Sequence, residues 1–402
     1  MHVTELGGVN MVCGRVIFGV VACSAMFSSA ASAQEARTMD FTAQAMVEHQ
    51  SNVARSSEAA AQLRGIARAD TIFTPSLAID VLLPVGRQAA FLQGSVGYSF
   101  YEKNDQLNRE RIDLSGGVRG RAGPCTAELH GGYARGVSQV LDANLEANVE
   151  NIRETELLGV NLTCSRQTGF GLVGSVSQEW GNNDLALYKT NDYERTSYQI
   201  GVTYARPTFG TATIFGSRES SEYPNRIVGG GYDVDALGLS YQRQLGARIE
   251  GLVSFSYSRI QQSGPFAADD AETTTYSGNL SYRANNRLRF RGEFDRSVNP
   301  SSAIGGGYDL NTSYRLSADY DLGSRIRLGL AGGQSKGEAR GGLPLPGNLT
   351  ESTINSAVAT ARYMQSERLS FLLSIGRDER TANAPQFEYT DNRIGLSADV
   401  RF

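Results

Sequence analysis

From residue 38 to the C-terminus, the hydrophobic positions of the chain fall on every second residue. Leu77, Ile79, Val81 and Leu83 share one parity in SLAIDVLL, as do Leu92, Val96, Tyr98 and Phe100 in FLQGSVGYSF and Tyr198, Ile200, Val202 and Tyr204 in SYQIGVTY. Later stretches keep the rule: Leu237, Leu239 and Tyr241; Val253, Phe255 and Tyr257; Leu288, Phe290 and Phe294; Tyr314, Leu316 and Tyr320; Leu369, Phe371, Leu373 and Ile375. In the final RIGLSADVRF, Ile394, Leu396, Ala398, Val400 and Phe402 alternate with Arg393, Gly395, Ser397, Asp399 and Arg401. A period of two predicts strands with one oily and one wet face. No stretch sustains the 3.6-residue period of an amphipathic helix, and no apolar run is long enough for a membrane helix.

Alternation alone fits both a soluble sandwich and a membrane barrel, because each buries one face of its strands and hydrates the other. The links between strands separate the two. PVGRQ, RAGP, CSRQT, RPTFG, RQLGA, RANNR, DLGS and QSER are short, and they alternate with long polar links such as SRESSEYPNRIVGGG, QQSGPFAADDAET, SVNPSSAIGGG and SKGEARGGLPLPGNLTES. This pattern predicts an all-β fold, a transmembrane up-and-down antiparallel β-barrel of about 18 strands within a range of roughly 16 to 18. Short links are expected at the periplasmic end and long ones outside, in the outer membrane of a Gram-negative bacterium. The last strand must pair with the first to abolish free edges, which explains a chain that stops on a strand. The segments GGGYD at 229 to 233 and 305 to 309 each open a strand on this count, four strands apart.

The N-terminus adds an address. Arg15, the apolar VIFGVVACSAMF and the small-residue run SSAASAQ form a secretory signal, residues 1–33, cleaved between Ala33 and Gln34. Met11 offers a second start, and VVAC ending at Cys23 loosely resembles a lipoprotein cleavage box. Residues 34–402 are then the barrel, exported with Cys125 and Cys164 as the remaining thiols into a compartment where disulfides persist. Cys125 begins a strand just after the short link RAGP, and Cys164 ends the next strand just before CSRQT. Both share a face with aliphatic residues, Cys125 with Ala127 and Leu129 and Cys164 with Leu158, Val160 and Leu162, so a cross-strand bridge at the periplasmic rim is expected.

Composition agrees with strands and turns: 45 Gly, 18 Tyr and 16 Phe stand against 10 Pro and one Trp. A net charge of −4 without a basic stripe gives no footprint for nucleic acid, and none is expected as a partner. There is no phosphate loop, nucleophile elbow, CxxC or EF-hand loop, and His49 and His130 are too few for a histidine metal cluster. Neither a cofactor nor an enzymatic activity is therefore expected. What remains is charge on the wet faces of the strands: Arg111, Asp113 and Arg119; Arg289, Arg291 and Glu293; Arg315 and Asp319; Arg325 and Arg327; Asp399 and Arg401. Two readings stay open, a mixed-sign lumen lining that tunes passage and a ladder of ion pairs that stiffens the wall. Aligning Arg287 with Asp321 places Arg289 opposite Asp319 and Glu293 opposite Arg315.

The opening of the mature chain resembles the β-barrel porins of exopolysaccharide operons. The resemblance rests on Asn52, Val53 and Arg55 in SNVAR, on Asp70 to Ile72 in RADTIFTPSLAIDVLLPVGR, and on Gly97 and Tyr98 before YEKNDQLNRERIDLSGG. Ala54 stands where that family often has an aromatic residue. The resemblance implies an outer-membrane barrel that takes part in polysaccharide secretion, with polysaccharide and periplasmic export proteins as partners alongside outer-membrane lipids. The terminal Phe402 resembles the signal by which such barrels engage the barrel assembly machinery. The competing expectation is a general or small-solute porin, marked by a constriction loop folded into the lumen with segregated acidic and basic arcs.

Overall fold

The structure, a computed structural model, describes residues 37–137, 151–226, 230–264, 270–300, 306–342 and 349–402. The leader over 1–33 lies outside the described residues. The first strands are β1 (Thr38–Gln50), β2 (Asp70–Val85), β3 (Gln88–Tyr101), β4 (Arg109–Ala122), β5 (Cys125–Val137) and β6 (Ile152–Cys164). They continue as β7 (Gly169–Asn183), β8 (Tyr193–Arg206), β9 (Gly210–Glu222), β10 (Gly231–Leu245), β11 (Ile249–Ser263) and β12 (Ala271–Arg283). The wall is completed by β13 (Leu288–Pro300), β14 (Gly306–Leu322), β15 (Ile326–Gly342), β16 (Glu351–Met364), β17 (Leu369–Ala382) and β18 (Tyr389–Arg401). Each strand pairs antiparallel with the next, and β1 pairs with β18, so one 18-stranded sheet closes on itself. Closure gives every strand a partner on both sides across the lipid-facing belt, which a hydrocarbon solvent demands.

All eight short links anticipated from sequence are the turns at one end of the barrel, and the longer connections gather at the other. The oily parity points outward. Ile200 and Leu316 are each 72% exposed, and Leu237, Leu330 and Ile214 are nearly as bare. Such a belt on a closed sheet faces lipid. Aromatic residues ring its edges: Phe170, Tyr204, Phe209 and Tyr241 form a chain of ring contacts beside the β8–β9 turn, and Tyr98 meets Phe100 near the opposite edge. The hydroxyl tips of the tyrosines suit the interface between hydrocarbon and water. Phe402 lies on this outer face, 71% exposed, and its backbone N–H donates to the Phe41 carbonyl of β1. The chain therefore ends inside the closing seam.

Cys125 and Cys164 are direct partners in the β5–β6 register and are joined as a disulfide, with Cα atoms 3.9 Å apart. The neighbouring outward residues Leu129, Leu158, Val160 and Leu162 are exposed to lipid. In the chain-entropy account, closing a loop of this length is worth roughly 3–4 kcal/mol.

Two features depart from the sequence reading. A six-residue helix, α1 (Glu58–Leu63), occupies the β1–β2 connection, N-capped by the Ser57 side chain, which accepts from the Ala60 N–H. It is too short to leave a helical period in the sequence. The long connections, moreover, do not all stand free in water: Tyr223, in the SEYPN link expected outside, is 3% exposed within a buried cluster.

The topology predicts opposite accessibility for two exposed positions. Leu63 of α1, 89% exposed, replaced by cysteine should react with a membrane-impermeant maleimide on intact cells. A cysteine at Glu367, in the β16–β17 turn, should react only after the outer membrane is permeabilised. Reversal of the two labelling patterns would invert the barrel.

Replacing Cys164 by alanine should leave the barrel assembled and lower its resistance to urea by roughly 3–4 kcal/mol, the loop-closure value. An unchanged midpoint in lipid bilayers would show that the bridge does not constrain the unfolded chain.

Candidate functional site

The end of the barrel that carries the long connections, its mouth, is narrowed by the chain itself. Side chains from connections, Val53, Ala54, Leu107, Tyr188 and Phe387, are essentially without exposure, although loops standing above a barrel would be hydrated. They are buried because they fold against inward-facing residues of the wall.

One corner is built on β18, β17 and the β1–β2 connection. Asp391, on the lumen face of β18 and fully buried, accepts the Asn52 N–H at 2.9 Å and the Ser51 hydroxyl at 3.3 Å. The Asn52 side chain donates to the Ser56 carbonyl, and the Val53 N–H to the Arg68 carbonyl. Asp70, at the top of β2, accepts from the N–H groups of Thr71, Lys103 and Asn104 and from the Asn104 side-chain amide. Asn104 in turn accepts from the Ala67 N–H, so one carboxylate and one amide tie the β1–β2 and β3–β4 connections together. Val53, Ala54, Ala61, Ile66, Ile72 and Leu107 fill the space between them. Arg55, the one non-glycine described residue with positive φ, at 49°, turns the chain at the edge of this corner.

Arginines converge on the same corner with unequal neutralisation. Arg393 lies 2.9 Å from Asp378 and 4.0 Å from Asp391. Arg380 is 6% exposed, stacks over the Tyr389 ring at 5.9 Å and makes no ion pair among the described residues, while the Arg55 guanidinium, of the same sign, acts on it. A buried guanidinium without a carboxylate leaves positive charge uncompensated at the mouth.

The opposite corner is built on β7 to β10. Arg195, on the lumen face of β8, lies 2.6 Å from Glu179 and 3.9 Å from Glu219, all three nearly sealed from water. The Tyr193 hydroxyl also donates to Glu179. Its ring lies across Gly181, directly opposite in register, where a Cβ would fall 2.1 Å from the ring. Only glycine leaves that space.

Against this corner lies a part of the wall that has left its place. Pairing between β12 and β13 stops at Tyr276 and Arg296, although β12 starts at Ala271 and β13 runs to Pro300. Val298, Tyr308 and Leu310 have the outward parity of β13 and β14, yet they are buried against the inward residues Tyr232 and Ile260 of β10 and β11. Outward residues can reach an inward face only if the upper β13–β14 hairpin has slipped inside, so that the wall overlaps itself. Tyr232 and Tyr308, the tyrosines of the two GGGYD segments, meet there with ring centroids 6.1 Å apart. The Tyr223 hydroxyl donates to the Gly307 carbonyl.

Below the mouth the inward parity carries the charges anticipated from sequence. Arg111, Asp113 and Arg119 project from β4, whose alternate residues Ile112, Leu114 and Val118 pair with the outward face of β3. Arg289 stands opposite Asp319 and Glu293 opposite Arg315 in the β13–β14 register. The ion pair formed there is diagonal, Arg291 to Asp319 at 3.0 Å. Arg327 pairs with Asp321 at 2.6 Å, Asp399 with Arg362 at 2.8 Å, and Arg401 with Asp40 across the β1–β18 closure. Arg325 is not on the wall at all: it lies in the β14–β15 turn, because β15 begins only at Ile326. His130 faces inward across Gly159, within 4.0 Å of Glu128, while His49 meets the Thr71 hydroxyl on the outer rim. Among the described residues no group of three His, Cys, Asp or Glu is placed to hold a metal ion.

No family model and no curated protein matches the chain. Its resemblance is to solved porins. OccK2 (OpdF) of Pseudomonas aeruginosa aligns with a TM-score of 0.50 at 14% identity, over 92% of this chain and 98% of that one. A BenF-like porin from Pseudomonas fluorescens aligns with a TM-score of 0.50 at 14% identity, over 92% of this chain and 99% of that one. The likeness is one of fold, an 18-stranded outer-membrane barrel.

Glu179, Arg195, Asp378, Asp391 and Arg393 were not singled out by the charge pattern. Their parity was readable, since each shares the wet face of its strand, but nothing local distinguishes them from solvated wall residues.

The two kinds of pair should respond differently to truncation. Glu179→Ala leaves the Arg195 guanidinium buried beside a carboxylate 3.9 Å away and should destabilise the barrel by about 3–5 kcal/mol. Arg291→Ala, which breaks a hydrated lumen pair, should cost no more than about 1 kcal/mol. Urea unfolding in lipid bilayers measures both, and equal losses would show that burial does not set the strength of these pairs.

Proposed function

We propose that this chain is an outer-membrane diffusion channel for small polar solutes. The observation that carries the reading is the combination of a hydrated, charge-lined wall with a mouth reduced by its own inward-folded segments. Inward groups well below the mouth are open to water: the side chains of Arg291 and Arg327 are each 44% exposed. A lumen that hydrates guanidinium groups is an aqueous path. At the mouth, the docked β1–β2 connection and the overlapping β13–β14 hairpin bring selective contacts within reach of a solute, while the wall below alternates in sign.

Polysaccharide export, which the resemblance of the first strands implies, places a different demand on the same barrel. A polymer must thread the mouth along its whole length, so the docked segments would have to withdraw. Small solutes need no such clearance, and this favours the diffusion reading.

Planar bilayers holding the purified protein should show discrete conductance steps, with a reversal potential near zero in a salt gradient because positive and negative side chains interleave along the wall. Proteoliposomes should swell in mono- and disaccharides but exclude a dextran. Exclusion of every small solute, or a strong preference for one sign of ion, would sink the reading.

A further inference from the structure

The structure assigns a second position to the upper β13–β14 hairpin: we propose that the seam between β12 and β13 is a gate, opened when the hairpin leaves the lumen and zips onto the vacant edge of β12. The inference rests on the channel reading above and adds a moving part to it.

The edge is built for a partner that it lacks. Above Tyr276, β12 runs through Thr275, Thr274 and Thr273 to Ala271, still paired with β11 on one side and with nothing from β13 on the other. Three consecutive β-branched residues favour a strand, and a strand edge left open is a template for another. The existing register runs from Arg283 opposite Arg289 to Tyr276 opposite Arg296. Continued upward without a bulge, it sets Thr275 opposite Ser297, Thr274 opposite Val298 and Thr273 opposite Asn299. Parity agrees at each step: Thr275, Ser297, Thr273 and Asn299 belong to the lumen face, and Thr274 and Val298 to the outer face. Zipping therefore needs neither a register shift nor an inverted side chain.

The present position is held by an apolar overlap and by a flaw within it. Val298, Tyr308 and Leu310 gain by burial against Tyr232 and Ile260. In the same overlap Asn299 is 5% exposed; its amide donates to the Ser297 hydroxyl, but its side-chain oxygen has no hydrogen-bond partner. A buried acceptor left unpaired opposes this position, and on the lumen face of a zipped wall it would reach water. The strand that carries the hairpin can bend: β15, which stays paired with β16 up to Glu338, has Gly332, Gly333 and Gly337 along that stretch. Glycine within a strand loosens it where a bend is needed. A solute occupying the mouth competes for the volume the hairpin fills, so it binds the zipped state better and shifts the population toward it.

The test is a pair of cysteines that meet only in the zipped state, Thr273→Cys with Asn299→Cys, with the native Cys125–Cys164 bridge verified by mass spectrometry. A control pair, Ser277→Cys with Asp295→Cys, lies in the paired part of the wall just below the seam. Mild oxidation should link both pairs, and linking the first should raise single-channel conductance at least twofold, reversed by reductant. Tyr308→Ser, which weakens the overlap without touching the edge, should raise the fraction of time spent in the larger conductance state. Linkage of the control alone, or linkage of the seam pair with unchanged conductance, would overturn the gate. A wild-type protein that never conducts would overturn the channel reading and the gate with it, whatever the cysteines do.

Discussion

The constraint on which the rest depends is that hydrocarbon offers no partner to a peptide group. A strand crossing a bilayer must find both neighbours within the chain, and the last strand must find the first. β1 and β18 meet in continuous register from Thr42 with Arg401 to Gln50 with Arg393, and the terminal Phe402 N–H is itself used in the closure. Parity follows. Once the sheet is closed, one parity belongs to lipid and the other to the lumen, and any slip by one residue would drive Arg and Asp into the hydrocarbon.

Where the hydrocarbon ends, the constraint relaxes, and the wall makes use of that freedom at the end that carries the long connections. β12 and β13 separate above Tyr276 and Arg296, and water can take the place of the missing partner. An edge that would be prohibitive in the membrane is tolerable above it, so the upper hairpin is free to choose between its wall position and an apolar surface inside the mouth. Burial of Tyr232 against Tyr308 decides for the inside in the structure described. The docked β1–β2 connection adds polar anchors to an apolar filling that includes Val53, Ala54 and Ile66: Asp70 and Asp391 collect backbone N–H groups, which orders the loops through charge-assisted hydrogen bonds.

The resulting mouth has two electrostatic characters. The Glu179–Arg195–Glu219 group is balanced and sealed, suited to holding the wall rigid behind the hairpin. The Arg380 corner is sealed but unbalanced, because its acidic neighbours Asp378 and Asp391 are engaged by Arg393 and by backbone donors. For the proposed channel, passage is then controlled at the top, while the hydrated pairs of the wall below, such as Arg327 with Asp321, are weak and interchangeable.

Alternation, link length and the oily end of the chain were enough to read the barrel, its approximate strand number, the gathering of short links at one end and the Cys125–Cys164 pairing, because each follows from a period of two enforced by a closed sheet in lipid. The β13–β14 register was readable for the same reason, whereas the diagonal choice of Arg291 over Arg289 for Asp319 depends on rotamers and twist that no local pattern encodes. The mouth was decided by tertiary structure. Nothing in SNVAR states that Asn52 will meet Asp391, which lies 339 residues away, and nothing in the outward parity of Tyr308 states that it will face Tyr232 inside the barrel. Parity assigns a side chain to a face of its sheet; only the path of the sheet in space determines what that face looks upon.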